Sequence, residues 1–437
     1  MRRPLIAALL LAGAPARAQE PAPAMPAIAS LKDHAATRDA WLAKQLDTLL
    51  PRLMRAHGID MWVLVAREYA EDPVLATMLD ARSFHARRRT ILVLFDPGGD
   101  KPIERLTVSR YGLGGLFAPA WDPAAEPQWA TVAKLIAARD PRRIALNISA
   151  DSAFADGLTA SQHDALVAAL PPALRQRIVP AGGLAIDWLQ TRIPEERAAY
   201  PGIVRIAHGV IAEAFSSQVI RPGETRAGDV VWWMREKVRA LGLSVWFQPS
   251  VSIFRQGAAE LSGDEVILPG DLLWTDFGIM HLGLATDTQH LGYVLKPGER
   301  EAPAGLRAGL ADANAAQDGL VAAFRTGATG NDLLLVARKA AAARGIDASI
   351  YSHPIGHHGH GAGPAIGFWD DQAPGPRGAG PVRADTFWSI ELAATRAVPE
   401  WGGQRVPFRL EEDMIFDGRE VIWADGRQNR FHLIGRD

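Results

Sequence analysis

Four carboxylates and one imidazole recur through the C-terminal half of this 437-residue chain, at positions that read as strands or strand ends: Asp276, Asp287, His353, Glu391 and Glu411. All five are hard ligands, and together they could hold two divalent ions side by side. Paired ions about 3.5–4 Å apart can share a hydroxide and polarise a carbonyl, a recurring design for amide hydrolysis. Asp276 ends the apolar run DLLWTDFG, and Asp287 lies eleven residues on, across a turn carrying Gly278 and Gly283. A hairpin of that length can return the second carboxylate beside the first. Taken alone, the pair would read better as two turn aspartates. SHPIGHHGHG places His353 three residues before Gly356 and seven before His360. FWSIELAAT puts Glu391 inside an apolar strand, where a lone carboxylate is expensive to hold. In FRLEEDMIF, Arg409 and Glu411 share one strand face and Glu412 takes the other. Four crowded carboxylates repel one another unless cations sit among them, and Arg409 alone is too little.

The elements that must position these residues are legible in outline. Helical spacing runs from about Leu31 to Met54, and AHGIDMWVLVA then switches to a strand signal. RRRTILVLFD, ERLTVSRYG and RRIALNIS supply further strands between Gly/Pro/Asp clusters. An α/β domain over 31–185 follows, with motifs that carry no obvious chemistry. The second half holds a weak internal repeat. IAEAFSSQVIRPGETRAGDVVWWMREKVRALGL reads as helix, turn, helix and exit glycine, and LVAAFRTGATGNDLLLVARKAAAARGI repeats the plan. Arg221–Thr225 corresponds to Arg325–Thr329, and Gly242 to Gly345. Such halves can pack about a pseudo-two-fold axis with a site between their sheets, or they are two unrelated helical hairpins.

Composition narrows the classes. With 47 basic and 49 acidic residues, no broad footprint for nucleic acid exists. The absence of cysteine excludes disulfides, thiolate zinc sites and cysteine nucleophiles. The hydrophobic fraction of 48% and length of 437 residues suit two ordinary globular domains. Residues 1–18 combine Arg2 and Arg3, a short apolar run and the Ala16-x-Ala18 pattern, the layout of a cleaved export signal. The run is too short to span a bilayer, so a periplasmic or secreted protein without a membrane span is expected. The Pro/Ala stretch within 19–30 reads as a disordered leader.

Jointly, the ligand set resembles that of the pita-bread metallopeptidases: methionine aminopeptidase, aminopeptidase P, prolidase and the related creatinase. The resemblance covers roughly 190–437 and rests on the Asp276/Asp287 spacing, HPIGHHGH, SIE and RLEED. It implies an α/β (α+β) fold, with a creatinase-like N-terminal domain over 31–185 and a pita-bread catalytic domain over 190–437 containing the pseudo-two-fold repeat. It also implies roles. Asp276 would bind one ion, Asp287 and Glu411 would bridge two, and His353 and Glu391 would complete the other ion's shell. Arg409 would orient Glu411, His360 would meet the substrate carbonyl or the oxyanion, and Glu391 would shuttle the water proton. Oxygen-rich ligation favours Mn²⁺, with Co²⁺, Fe²⁺ or Zn²⁺ as alternatives.

The resemblance further implies a homodimer and a short peptide or other small amide as substrate. The leading expectation is an Xaa-Pro-type aminopeptidase or dipeptidase. Alternatives are hydrolysis of a non-peptide C–N or ester-like bond, or a non-catalytic binding role. Departures from the pattern exist. No histidine lies between His208 and His281, where the family carries one, and Glu260 or Gln256 would have to substitute. Leu392 stands where the family has proline. His357 and His358 read as loop or wall residues, Glu412 as a surface group or one just outside the ligand ring, and His281 and His290 as bystanders.

Overall fold

The computed structural model describes residues 25–435; the export signal expected over 1–18 lies outside them. Residues 25–30 form no regular element, yet Met25 and Ile28 pack against the apolar cluster under the first helix pair of the C-terminal half, so this part of the leader is anchored.

The N-terminal helical run is Leu31–Lys44, a π-turn over Gln45–Leu49, and Leu50–Ala56. It lies on a six-stranded mixed sheet whose central strand, Met61–Arg67, pairs antiparallel with Arg89–Phe95 and parallel with Ile144–Leu146. Met61–Ala66 is buried on both faces, because helices cover both sides. This is the pattern of a sandwiched strand rather than of a half-exposed one. Helix Gly182–Gln190 still belongs to this core through Leu184, Trp188 and Leu189.

The C-terminal half is built on a ten-stranded sheet. Its spine runs Asp347–Ile350, Thr386–Val398, Gln404–Phe416, Thr288–Val294, Leu272–Phe277, Ser250–Phe254 and Leu261–Ser262. Two helix pairs cover one face. Pro194–Ala214 and Ala227–Ala240 cover the half containing Val251, Ile253 and Leu273, and Ala304–Val321 and Gly330–Ala343 cover the half containing Trp388, Ile390, Leu392 and Leu410. The repeat read from the sequence is therefore architectural. Gly223 and Gly327 both hold positive φ in the inter-helix turns, and Gly242 and Gly345 do so at the exits, where only glycine adopts the conformation without cost. Helix Ala304–Val321 approaches the sheet so closely that a Cβ on Gly309 would lie 2.0 Å from the Phe408 ring.

Strand alternation then decides everything about the site. Ile390 and Leu392 point to the helices, so Glu391 points to the open face. Leu410 likewise turns Glu411 outward, in register with Glu391 across the longest antiparallel pair in the molecule.

Candidate metal centre

Glu391 and Glu411 are directly opposed on neighbouring strands, Gln289 pairs with Glu411 on the next strand, and Asp276 pairs with Gln289 on the one after. Four adjacent strands thus carry one row of polar side chains on the open face. Asp287 enters just before strand Thr288–Val294, and His353 opens strand His353–Ile355 opposite Ser389. The turn that returns Asp287 beside Asp276 needs Gly278, whose Cβ would lie 2.3 Å from both the Thr286 carbonyl oxygen and the Trp246 indole nitrogen.

The five sequence-predicted ligands meet. His353 Nε2 lies 3.4 Å from Glu411, 3.8 Å from Asp287 and 3.9 Å from Glu391. Donor atoms of Asp276, Asp287 and Glu411 lie within 4.8 Å of one another, and so do those of His353, Glu391 and Glu411. Glu411 is common to both groups. His353 Nδ1 stands 3.0 Å from the Pro354 carbonyl and donates to it, which leaves the Nε2 lone pair facing the carboxylates. His353 Nε2, Asp276 Oδ1 and Asp287 Oδ1 are buried without a hydrogen-bond partner. Burial, then the charge of Glu411, pushes the carboxyls of Asp276, Asp287 and Glu391 well above the usual carboxylate range. Buried acceptors with no donor, and carboxylates whose one cationic neighbour, Arg409, is paired with Glu260, are what a cation binding there would satisfy. The donor set fits divalent ions.

Sequence reasoning missed Gln289. Its amide donates to Glu391 Oε1 at 2.5 Å and to Glu411 Oε2 at 2.8 Å, and so fixes both glutamates. Ser389 adds a hydroxyl bond to Glu411 Oε1 at 2.6 Å, and Asp413 accepts the Asp287 N–H at 3.1 Å. Nothing in a strand reading TDTQHLGYV distinguishes such a glutamine from any other half-polar residue. Only its register opposite Glu411 does.

His360 stands at the rim. Its ring meets His353 edge-on at 4.8 Å and Trp246 at 5.2 Å, and Trp246 is itself pinned by a bond from its indole N–H to the Thr286 carbonyl. Burial and the neighbouring His353 lower its pKa, which favours the neutral imidazole. His357 and His358 instead face a cavity shared with Arg38, Trp41 and Gln45 of the N-terminal helices.

Arg409 requires a correction. It shares the open face with Glu411 but does not bond to it. Its guanidinium makes a two-pronged pair with Glu260 at 2.9 and 3.0 Å and lies over the Trp274 ring at 4.9 Å. With Trp274, Asp276, Gln289, Trp369 and Glu391 it lines a cavity of about 300 Å³ beside the carboxylates. The reason is geometric: two residues along a strand displace the side chain past the carboxylate row, toward the hairpin that carries Glu260. Glu412 also needs correcting, whereas His290 stays outside the ligand set. Glu412 is fully buried, and His290 lies 3.1 Å from it on the helix-covered side of the sheet. His281 stays apart from the ligands and packs on His34.

Fold and site together define a metal-dependent peptidase of the pita-bread architecture. Residues 202–415, just under half of the chain, match the profile of Metallopeptidase family M24. Among solved structures, it is similar to an X-Pro aminopeptidase from Thermotoga maritima MSB8, with 17% identity over 87% of this chain and 99% of that one and a TM-score of 0.64. An Xaa-Pro dipeptidase from Bacillus anthracis aligns with 18% identity over 92% and 99% and a TM-score of 0.61. A prolidase from Pyrococcus furiosus aligns with 14% identity over 86% and 99% and a TM-score of 0.55. At these identities the likeness is one of fold, and it takes in the N-terminal sheet. No curated protein sequence matches the chain.

Proposed function

We infer that this protein is a dinuclear metal-dependent hydrolase of short peptides, an Xaa-Pro-type aminopeptidase or dipeptidase. The observation that carries this reading is the pair of donor groups sharing Glu411, each containing a buried atom that lacks a partner. Asp276, Asp287 and Glu411 would hold one ion, and His353, Glu391 and Glu411 the other. Bound there, Mn²⁺ (or Co²⁺, Fe²⁺ or Zn²⁺) supplies Lewis acidity and lowers the pKa of water. The chain does the rest. Glu391, whose Oε1 is held by Gln289, accepts the water proton at Oε2 and passes it to the departing amine. His360 donates a hydrogen bond to the carbonyl oxygen as it gains charge. Trp274 and Trp369 offer flat apolar walls to the residue after the scissile bond, in a cavity sized for one or two side chains.

The named activities of the structural relatives support the Xaa-Pro preference. Hydrolysis of another C–N or ester-like bond is the second reading. It is favoured by Glu260, a carboxylate paired with Arg409 at the cavity, in a chain with no histidine between His208 and His281. Export into a periplasm and homodimerisation complete the proposal. Among the described residues no helix is long and apolar enough to cross a membrane.

The test is elemental analysis of Mn²⁺-reconstituted protein followed by a dipeptide screen. About two ions at the centre, as a two-metal site requires, with Xaa-Pro cleaved faster than Xaa-Ala, supports the reading. Asp287→Ala and Glu411→Ala should each abolish ion retention and hydrolysis, whereas His360→Ala keeps the ions and slows the reaction. Full ion loading with no cleavage of any dipeptide would sink the peptidase assignment.

A further inference from the structure

The sheet's other face carries a second cluster that the peptidase chemistry does not use. Glu412, fully buried, directs its two carboxylate oxygens at two histidines from different elements. His290 Nε2, from strand Thr288–Val294, is 3.1 Å from Oε1, and His208 Nε2, from helix Pro194–Ala214, is 3.2 Å from Oε2. His208 Nε2 and Glu412 Oε2 are both buried, and neither has a hydrogen-bond partner that meets the geometry of one. Each histidine is held from behind through its other nitrogen. His208 Nδ1 meets Asp425 Oδ2 at 3.1 Å, and His290 Nδ1 meets His432 Nε2 at 3.1 Å. Asp425 is in turn fixed by Arg205, and the Gln428 N–H holds Glu412 Oε1 at 2.6 Å.

We propose that His208, His290 and Glu412 form a separate metal site, of the class that takes Zn²⁺. Two imidazoles and a carboxylate are a zinc donor set with room for one water. The backing of each imidazole through its other nitrogen is the arrangement that fixes the tautomer of ligating histidines and aims the free lone pair at the ion. Donors on a tetrahedral ion with bonds of about 2.0–2.1 Å stand roughly 3.3 Å apart, close to the 3.1 and 3.2 Å found here. The His208 side chain is 15% exposed, which leaves a way in from solvent. An ion here ties helix Pro194–Ala214 to two strands in which the preceding residues, Gln289 and Glu411, face the peptidase centre. Its role is to stiffen the floor of that centre.

The site stands independently of the peptidase reading, and the test separates the two. The Asp287→Ala/His353→Ala chain lacks the open-face centre's own imidazole. Loaded with Zn²⁺ and washed against a weak chelator, it should keep one zinc per chain, with two imidazoles in its X-ray absorption fine structure. Adding His290→Gln should release that zinc while thermal unfolding stays cooperative. If either variant fails to fold, the Mn²⁺-saturated wild-type chain decides: one further zinc bound through two imidazoles is expected. No zinc retained by a cooperatively melting double variant, zinc with one imidazole or none, or zinc unaffected by His290→Gln would each overturn the proposal and leave the cluster a hydrogen-bonded ion pair.

Discussion

Replacing Gln289 with alanine tests whether the strand register builds the metal centre. In the native chain the amide donates to one oxygen of Glu391 and one of Glu411, each bond being charge-assisted. Hydrogen bonds to charged groups contribute about 1.5–3 kcal/mol apiece, so complete loss of both would cost roughly 3–6 kcal/mol. Water offsets part of that, because Gln289 lines the cavity beside the carboxylates and its removal enlarges a space solvent already reaches. What water cannot restore is the fixed angle of the two glutamates. Partners behind metal ligands typically carry 10–100-fold in affinity or activity, or about 1.4–2.7 kcal/mol. We therefore expect Gln289→Ala to weaken Mn²⁺ binding 10–100-fold, measured by competition with a chromophoric chelator. Gln289→Met, of similar length but without the amide, should behave alike, while melting of the metal-free chain changes less. Metal affinity within about twofold of wild type in both variants, far below the 10–100-fold expected, would refute the claim that the amide positions the ligands.

Three further outcomes are expected. Trp246→Ala frees the rim histidine His360 and should lower kcat about 10²-fold, as misplacement of a reacting group by an ångström does, with metal content unchanged; loss of metal would instead make Trp246 a support of the ligands. Because burial and Glu411 raise the pKa values of Asp276, Asp287 and Glu391 above their unfolded values, the metal-free chain is favoured by their protonation below the ordinary carboxylate range. It loses that contribution as pH rises through the raised values, so the melting-temperature gain on adding Mn²⁺ should grow from pH 5 to pH 8; a gain independent of pH contradicts the assignment. Glu260→Gln breaks a pair that is about one-third exposed and should change stability by under about 1 kcal/mol, yet shift KM through Arg409; an unchanged KM removes Arg409 from the substrate cavity.

Much of the open face was legible because each ligand sits in a stretch whose apolar neighbours fix its direction. Ile390 and Leu392 must face the helices, so Glu391 cannot. The glycine-punctuated turns of the repeat were legible for the same reason: a positive φ writes itself into sequence as glycine. What stayed hidden depends on pairing between distant segments. Gln289 acquires its role from lying opposite Glu411, and Arg409 finds Glu260 because a hairpin from another strand reaches over it. His208, on a helix, meets His290 and Glu412 across the sheet, at sequence separations that no local periodicity records.

The run Glu411-Glu412-Asp413 draws these threads together. Three consecutive carboxylates on one buried strand would be untenable if they shared an environment. Alternation sends Glu411 and Asp413 to the open face and Glu412 to the helices, and each then meets different partners. Glu411 takes the Gln289 amide and the Ser389 hydroxyl, and it remains available to cations. Asp413 accepts the Asp287 N–H and so ties down the return of the hairpin, and burial raises its pKa. Glu412 has His290 and His208, one against each carboxylate oxygen, at 3.1 and 3.2 Å. One short acidic segment thus supplies a metal ligand, a turn anchor and the hub of a histidine cluster. Moving it by a single residue in register would exchange the two faces and destroy all three, which is why the strand is locked along its whole length to Thr386–Val398.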